Sequence, residues 1–555
     1  MGNKALELWK KMTLRQKLGQ MVCIRGYRFQ EGIHRRLSDG AIGGAAANMF
    51  NYPDRSFEAV IERTKSYLDA ASMPLLLECD PESGLTQFAF GTRFPTMMAL
   101  GATRSTELAY KLGNAIASEA KAVGFYLIGS PVLDVNTNGM NPIINTRAIG
   151  DEVEIVIELG GAYVKGVHAA GVIAAGKHFP GHGDTDVDSH IEMPTVTHTR
   201  EHLTETELKP FQALFEQGMT AIMTAHIYYP ALVDAQEEGL PATLSKRVMT
   251  SLLRDEMGFT GIAVSDSLTM RAVKEAYGIG PSAIMAVRAG NDIILQDYDS
   301  DPELTFTALE EAVHSGEISM EIIDTSVQRI LHLKETFGLL DNPVLDIEEA
   351  RSIIHCAEHQ AVSQEIAEKS VTLLESFHLP LTASNTKRML LITTRSTAEG
   401  TAAQDMGQIE AGKQGYLASC CREHVNEVDL CYINEESTTE QLEQILNAIN
   451  SPTYDAVILG LFTNVSSYRK GSGTLGREQI EFIQELISLK PDIIILLFGS
   501  PYLLREFQGM KNVLCMYGSS NNELNASIKV LFGYNQATGK LPITINEKYK
   551  FGFGL

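Results

Sequence analysis

Basic residues, cysteine and tryptophan are scarce in this chain of 555 residues. Lysine and arginine number 46 against 69 aspartates and glutamates, so the formal charge is −23. A field of that sign repels phosphate backbones and anionic lipid heads, and we therefore expect neither nucleic acid nor a membrane surface as a partner. The seven cysteines include no C-x-x-C pair, and an odd set of thiols predicts no disulfide framework.

Long hydrophobic runs are also missing. Nowhere do 18 apolar residues follow one another, so no transmembrane helix is expected. The first 22 residues carry charges throughout and show no apolar core followed by a cleavage site, which predicts no signal peptide. Together with the unpaired thiols, these absences favour a cytoplasmic protein. They leave the oligomeric state open.

Eight short apolar runs alternate with helix-compatible segments in the first part of the chain. The runs occupy positions 20–24, 41–49, 75–80, 125–134, 172–180, 221–229, 261–267 and 292–296. Most are apolar on successive positions, as parallel strands buried on both faces are. Residues 1–345 are therefore predicted to form a (β/α)8 barrel, with a doubly wound sheet as the alternative.

A second α/β series follows this region. Residues 346–370 have a helical, linker-like composition, and further apolar runs lie at 388–394, 456–463, 492–500 and 512–518. Helix-compatible stretches separate these runs. Residues 371–555 are predicted to form a smaller α/β sandwich domain.

Polar side chains stand at or just past the carboxyl ends of the apolar runs in the first region. They are Asp80, Asp134, Lys177, His178, His226, Asp266 and Gln296. In a barrel those strand ends meet at one mouth, where the chemistry of such folds takes place. Strand ends are often polar for purely structural reasons, but seven reactive side chains together favour a functional site.

The stretch KHFPGHGDTDVDSH at 177–190 holds three histidines and three aspartates. Three interpretations remain open at this point: residues that cap turns, a metal site, and acid/base catalysis. For the third, Asp188 lies two residues before His190, and in an extended segment both side chains point the same way. The carboxylate could then fix the tautomer of the imidazole, leaving the other ring nitrogen to exchange a proton.

Asp266 is the one carboxylate in the apolar run at 261–267 and lies next to the end of that run. At a barrel mouth, such a carboxylate can attack an anomeric carbon as a nucleophile. The alternative is that Asp266 caps the following helix.

The stretch at 177–190, together with LRDEMGFTGIAVSDSLTM and NPIINTRAIGDEVE, resembles glycoside hydrolase family 3. The similarity is greatest to its β-N-acetylglucosaminidase branch and extends to FPTMMALGAT near position 100 and GKLPITI near the end. The resemblance implies a retaining glycosidase with Asp266 as nucleophile, His190 as acid/base and Asp188 as its supporting carboxylate. It further implies that Asp80, Arg147, Lys177 and His178 hold the hydroxyls of the terminal sugar.

The substrate implied by this resemblance is a terminal β-linked N-acetylhexosamine on an amino-sugar glycoside or muropeptide fragment. No metal and no organic cofactor are implied. Two alternatives stay open, which are a β-glycoside phosphorylase of the same family and a sugar-binding relative without activity.

The sequence departs from the branch between Asp80 and Phe88. Ser83 stands where relatives carry a glycine, and Phe88 stands where they carry an arginine that contacts sugar. We expect Phe88 to offer an apolar wall to the substrate, and the loss of a guanidinium bears on the preference for N-acetylglucosamine.

Overall fold

A computed structural model describes the chain except residues 26–31, 48–49, 51–53, 89, 269, 297–299, 383, 395–411 and 466–470. The chain divides into two compact units. The first comprises Met1–Thr92, Ala109–Val135 and Val156–Ala357, and the second comprises Arg93–Leu108, Asn136–Ile155 and Glu358–Leu555.

The first unit contains a closed barrel of eight parallel strands, ordered as they occur in the chain, with β8 pairing back to β1. The strands are β1 (Val22–Ile24), β2 (Gly44–Ala46), β3 (Leu76–Cys79), β4 (Leu127–Ile128), β5 (Ile173–Phe179), β6 (Ala221–Thr224), β7 (Ile262–Ser267) and β8 (Ile293–Leu295). Each strand lies within one of the eight predicted apolar runs, although positions 48–49 of the second run lie outside the described residues. The predicted (β/α)8 architecture is confirmed.

Helices lie between the strands and around them. In chain order, the helices from the start of the chain to residue 353 are α1 (Asn3–Lys11), α2 (Leu14–Met21), α3 (Ile33–Ser38), α4 (Phe57–Ala70), α5 (Met97–Thr103), α6 (Thr106–Ala122), α7 (Val153–Ala169), α8 (Arg200–Glu205), α9 (Leu208–Glu216), a π-helix (Arg247–Glu256), α10 (Arg271–Tyr277), α11 (Ile279–Ala289), α12 (Pro302–Ser315), α13 (Met320–Thr336) and α14 (Ile347–Ile353). Hydroxyl side chains begin several of them: the Thr13, Ser56 and Thr199 oxygens accept hydrogen bonds from backbone N–H groups in the first turns of α2, α4 and α8.

A buried carboxylate fixes the strand that ends in Asp266. Asp292, at the start of β8, accepts hydrogen bonds from Arg254 at 2.7 Å and from the backbone N–H of Ala263 in β7 at 2.9 Å. Arg329 lies 3.2 Å from its other oxygen. Because Asp292 is fully buried, this charge needs both partners, and the network holds β7 and β8 in register.

The second unit contains a six-stranded sheet of order β11-β10-β12-β13-β14-β9, in which only β9 is antiparallel to its neighbour. Its strands are β9 (Thr372–Glu375), β10 (Arg388–Thr394), β11 (Glu427–Ile433), β12 (Ala456–Phe462), β13 (Ile494–Phe498) and β14 (Asn512–Cys515). Its helices are α15 (Ala357–Ser370), α16 (Lys413–Arg422), α17 (Thr439–Ile449), α18 (Arg477–Leu489) and α19 (Asn521–Leu531).

Alternate residues of β10 face two different cores. Leu390 and Ile392 belong to one hydrophobic cluster, and Met389 and Leu391 to the other, so the sheet is covered on both faces as the predicted sandwich requires. The sequence did not predict β9 and β11. These are the two outer strands, and both are only partly buried, which removes the continuous apolar signal.

The domain boundaries at 345 and 370 stay a prediction. Residues 93–108 and 136–155, which precede the predicted linker, group with the second unit, where Met98 and Ala99 of α5 join its core. In the described part of the chain, no helix combines the length and the apolar character needed to span a bilayer.

Candidate active site

The carboxyl ends of β3 and β5 are joined by a buried lysine. The Lys177 ammonium lies 2.5 Å from Oδ1 of Asp80 and 2.7 Å from Oε1 of Glu82. Only 2% of the Lys177 side chain is exposed, against 40% of the Asp80 side chain. Two carboxylates compensate the buried cation, and Asp80 is presented to solvent at the barrel mouth.

His178 is held by a second carboxylate. Its Nδ1 lies 2.7 Å from Oδ2 of Asp134, and its backbone N–H donates to Oδ1 at 3.0 Å. The backbone N–H of His182 donates to the same Oδ1 at 2.7 Å. Burial would raise the pKa of Asp134, but the His178 imidazole outweighs it and holds that pKa below the usual range. Asp134 therefore stays ionised and fixes the ring of His178.

The loop after β5 is tied together around His182. The Thr185 hydroxyl donates to the His182 carbonyl at 3.1 Å, so the contact of 2.8 Å between this hydroxyl oxygen and Nδ1 requires Nδ1 to donate. Nε2 then accepts from the Ser189 hydroxyl at 2.9 Å. These buried hydrogen bonds order the loop from His182 to Ser189, and Ser189 lies between the two acid/base candidates.

Asp188 holds His190 through one oxygen. Its Oδ1 accepts a hydrogen bond from the His190 backbone N–H at 2.9 Å and lies 2.7 Å from the Nδ1 of the ring. Asp188 is almost fully buried, whereas 24% of the His190 side chain is exposed. The pairing that the sequence suggested from a spacing of two residues is present, and it engages Nδ1 of the His190 ring.

Asp266 lies at the end of β7 among imidazoles. Burial alone would raise its pKa, but the positive potentials of His226, His178 and His190 outweigh burial and bring the pKa down to about 2. Its Oδ1 accepts a hydrogen bond from the backbone N–H of Ser267 at 2.6 Å. The result is an oriented, ionised carboxylate, as a nucleophile requires.

Two buried residues complete this electrostatic environment. Burial lowers the pKa of His226, whose Nε2 lies 2.9 Å from the Ser267 carbonyl oxygen, so the ring donates there. Burial, together with the Asp80 carboxylate, raises the pKa of Glu78 to about 7. The sequence analysis did not single out Glu78, because it lies one residue inside the end of an apolar run.

Comparison with known proteins identifies the family of this chain. Residues 13–333 match the family described as “Glycosyl hydrolase family 3 N terminal domain”. The chain belongs to glycosyl hydrolase family 3. This match takes in the whole barrel and every residue of the site described above, and it makes the chain a glycosidase.

Family 3 relatives match most of the chain. A protein named beta-hexosaminidase A, from Pseudoalteromonas piscicida, is 29% identical over 549 residues, which cover 91% of this chain and 90% of the relative. A beta-N-acetylglucosaminidase/beta-glucosidase from Cellulomonas fimi is 30% identical over 398 residues, which cover 69% of each chain. Among solved structures, a family 3 beta-N-acetylglucosaminidase from a Paenibacillus species has 31% identity and a TM-score of 0.84, covering 96% of this chain and 99% of that one.

The family 3 site residues expected from the sequence fall into both units. Asp80, Lys177, His178 and Asp266 lie in the first unit at or near the ends of its strands, and Asp188 and His190 lie in the loop between β5 and α8 of the same unit. Arg147 lies in the second unit, where it ends a short 3-10 helix and donates to the Ile143 carbonyl at 2.9 Å. The assignment of Arg147 to the sugar stays a prediction.

The expected role of Phe88 is wrong. Its side chain is 4% exposed and stacks on Phe90, with ring centroids 5.3 Å apart, and on Phe125 at 5.7 Å. Phe88 is therefore a core residue and offers no wall to a substrate. The sequence could not distinguish a core residue from a substrate-facing residue, because an aromatic residue in a polar loop fits either interpretation.

The roles of Asp134 and Glu82 were not predicted from the sequence. Asp134 lies 44 positions before His178, and no local spacing connects the two. Glu82 contacts Lys177 across 95 positions. Asp134 was expected at the barrel mouth, but its contact with His178 and that of Glu82 with Lys177 are visible only in the structure.

Proposed function

We propose that this family 3 glycosidase removes terminal β-linked N-acetylhexosamine with retention, through a covalent glycosyl-aspartate. The observation that carries the proposal is the ionised Asp266, which is surrounded by imidazoles and belongs to the same site as the Asp188–His190 pair. Asp266 attacks the anomeric carbon as the bond to the leaving oxygen breaks.

His190 supplies the proton in this scheme. Its Nδ1 is hydrogen-bonded to Asp188, so Nε2 gives a proton to the leaving oxygen and then takes one from the water that hydrolyses the intermediate. Most retaining glycosidases use a second carboxylate for this task. Glu82 is a poor candidate for it, because its pairing with Lys177 at 2.7 Å favours the ionised form.

Asp80, Lys177 and His178 hold the hydroxyls of the terminal sugar, and Arg147 is assigned to the same task by the family motif. The contacts of Lys177 with two carboxylates and of His178 with Asp134 support rigid positioning. A side chain already held in place loses little freedom when it meets substrate.

The substrate class rests on the relatives, whose names include beta-hexosaminidase and beta-N-acetylglucosaminidase. Amino-sugar glycosides or muropeptide fragments fit that class. A cytoplasmic location, expected from the sequence, accords with fragments taken up by the cell.

A panel of nitrophenyl β-glycosides, assayed with and without phosphate, tests the proposal. We expect the β-N-acetylglucosaminide to be cleaved with the highest kcat/KM and the free sugar to be the product in both conditions. Faster turnover with phosphate and a sugar 1-phosphate product would make the protein a phosphorylase instead.

If the wild type binds the sugar without cleaving it, and the Asp266→Ala variant binds it equally well, the protein is a sugar-binding relative without activity. A preference for the β-glucoside would contradict the proposed sugar while leaving the glycosidase chemistry intact.

A further inference from the structure

A second group of polar side chains lies in the segment that leads from β5 to α9, apart from the acid/base pair. His198 precedes α8, His202 lies in the first turn of α8, and Glu207 precedes α9. One possible ligand atom from each residue lies within 4.8 Å of the other two. Among the described residues, this is the one group of three or more His, Cys, Asp or Glu side chains with such spacing.

Glu207 is the unusual member of this group. Its side chain is 2% exposed, yet neither carboxylate oxygen accepts a hydrogen bond of normal geometry from any described residue. A buried carboxylate without a donor is costly unless a cation compensates it. The Nε2 of His202 lies 3.8 Å from Oε1, within reach of a shared ion.

His198 is oriented by a carboxylate of its own. Its Nε2 lies 2.5 Å from Oδ2 of Asp184, so that nitrogen carries the proton and Nδ1 keeps a lone pair. A carboxylate that holds one nitrogen of an imidazole while the other binds a metal is a common second contact in metal sites. The His198 and His202 rings have centroids 4.0 Å apart and are tilted by 34°, and both are accessible to solvent.

We propose that His198, His202 and Glu207 bind one late first-row divalent cation of the Zn²⁺ type, with Asp184 orienting His198. Imidazole nitrogens with one carboxylate suit Zn²⁺, whereas Mg²⁺ and Ca²⁺ prefer oxygen ligands throughout. Ligand atoms of a tetrahedral zinc site lie about 3.3–3.4 Å apart, so the side chains must move closer together when the ion binds.

The ion would lie just after the loop that carries the acid/base pair, because all three ligands follow His190 in the chain. Asp184 precedes Asp188 and His190, and its hydrogen bond with His198 joins the two ends of this loop. An ion on the other nitrogen of His198 would hold that ring in place without touching the reacting atoms. The site is therefore a positioning site, and its existence does not depend on the proposed sugar or on hydrolysis.

Metal binding by the full-length protein tests this proposal. After chelator treatment and dialysis, we expect the wild type to take up about one equivalent of Zn²⁺ by isothermal titration. Co²⁺ in its place should give the visible d–d bands of a four-coordinate ion. His202→Ala and Glu207→Gln should lose this equivalent, and Asp184→Asn should bind roughly 10- to 100-fold more weakly.

His314→Ala is the matched control, because His314 is an exposed histidine on α12 of the same unit. It should bind the ion as the wild type does. Thermal melting distinguishes a loss of binding from a loss of folding. Zn²⁺ should raise the Tm of the wild type and of His314→Ala but not that of Glu207→Gln. Without metal, Glu207→Gln should melt at a temperature no lower than the wild type. If Glu207→Gln takes up as much Zn²⁺ as the wild type, the ion is an adventitious ion only and the proposal is overturned. The same holds if the wild type binds Zn²⁺ no more tightly than His202→Ala does.

Discussion

One carboxylate oxygen of Asp188 contacts His190 twice, 2.9 Å from its backbone nitrogen and 2.7 Å from its Nδ1. The double contact fixes both the position of the residue and the orientation of its ring. Because Asp188 is buried and His190 is partly exposed, the pair is anchored on one side and open on the other. This is the arrangement that a proton donor facing a substrate needs.

The role of His190 predicts a dependence on the leaving group. His190→Ala should slow the cleavage of alkyl β-glycosides by about 10²- to 10⁴-fold, because an alkoxide needs a proton as it leaves. Dinitrophenyl glycosides should be affected only mildly in the glycosylation step. Asp188→Asn should give a smaller effect with the same pattern, since it keeps the imidazole but loses its charged partner. Equal slowing of both substrate classes, measured at one pH, would make His190 a binding residue.

Asp266 should be the site of covalent attachment. A 2-fluoro sugar with a good leaving group forms the glycosyl-enzyme faster than water removes it, so mass spectrometry of peptides should find the label on Asp266. Asp266→Ala should lower kcat by at least about 10³-fold with an unchanged melting profile. A label on Glu82 or another carboxylate would refute the assignment.

His226 should control the acidic limb of the rate profile. After burial, which acts in the opposite direction, the His226 imidazole is the leading influence on the pKa of Asp266 and lowers it. Replacing it with Phe removes this influence and raises the carboxylate pKa, so the acidic limb of kcat/KM should move to higher pH. A dinitrophenyl glycoside is the proper substrate, since its cleavage does not depend on the proton donor.

His314→Ala serves as the control for the His226 experiment and should not shift the acidic limb of kcat/KM. An unmoved limb in a folded His226→Phe variant would show that Asp266 owes its ionised state to other groups.

Phe88→Arg should destabilise the protein and should not improve activity toward N-acetylglucosaminides. The substitution puts a guanidinium among Phe90 and Phe125 in a site that is 4% exposed, and the free energy of unfolding should fall by roughly 3–5 kcal/mol. Phe88→Leu keeps the site apolar and should cost less. Urea denaturation of the wild type and the two variants measures their order of stability. A gain in kcat/KM for Phe88→Arg would support the expectation from the sequence that Phe88 faces the substrate.

Local patterns determined much of this protein. Eight apolar runs predicted the eight barrel strands, because parallel strands buried on both faces need apolar residues at successive positions. The spacing of two residues also suggested the Asp188–His190 contact, but the contact forms in a turn, in which the Ile191 N–H donates to the Asp188 carbonyl, and not in the extended segment that the sequence argument assumed.

Tertiary structure decided what local spacing does not encode. The contacts of Asp134 with His178 and of Glu82 with Lys177 form because separate strands of the barrel end at one mouth. Phe88 looked like part of the substrate site, yet its environment comes from Phe125, which is distant in the chain, and burial placed it in the core. The outer strands β9 and β11 gave weak patterns because a half-exposed edge does not require continuous apolar residues. Charge partners and burial depend on the whole fold, so only the folded chain reveals them.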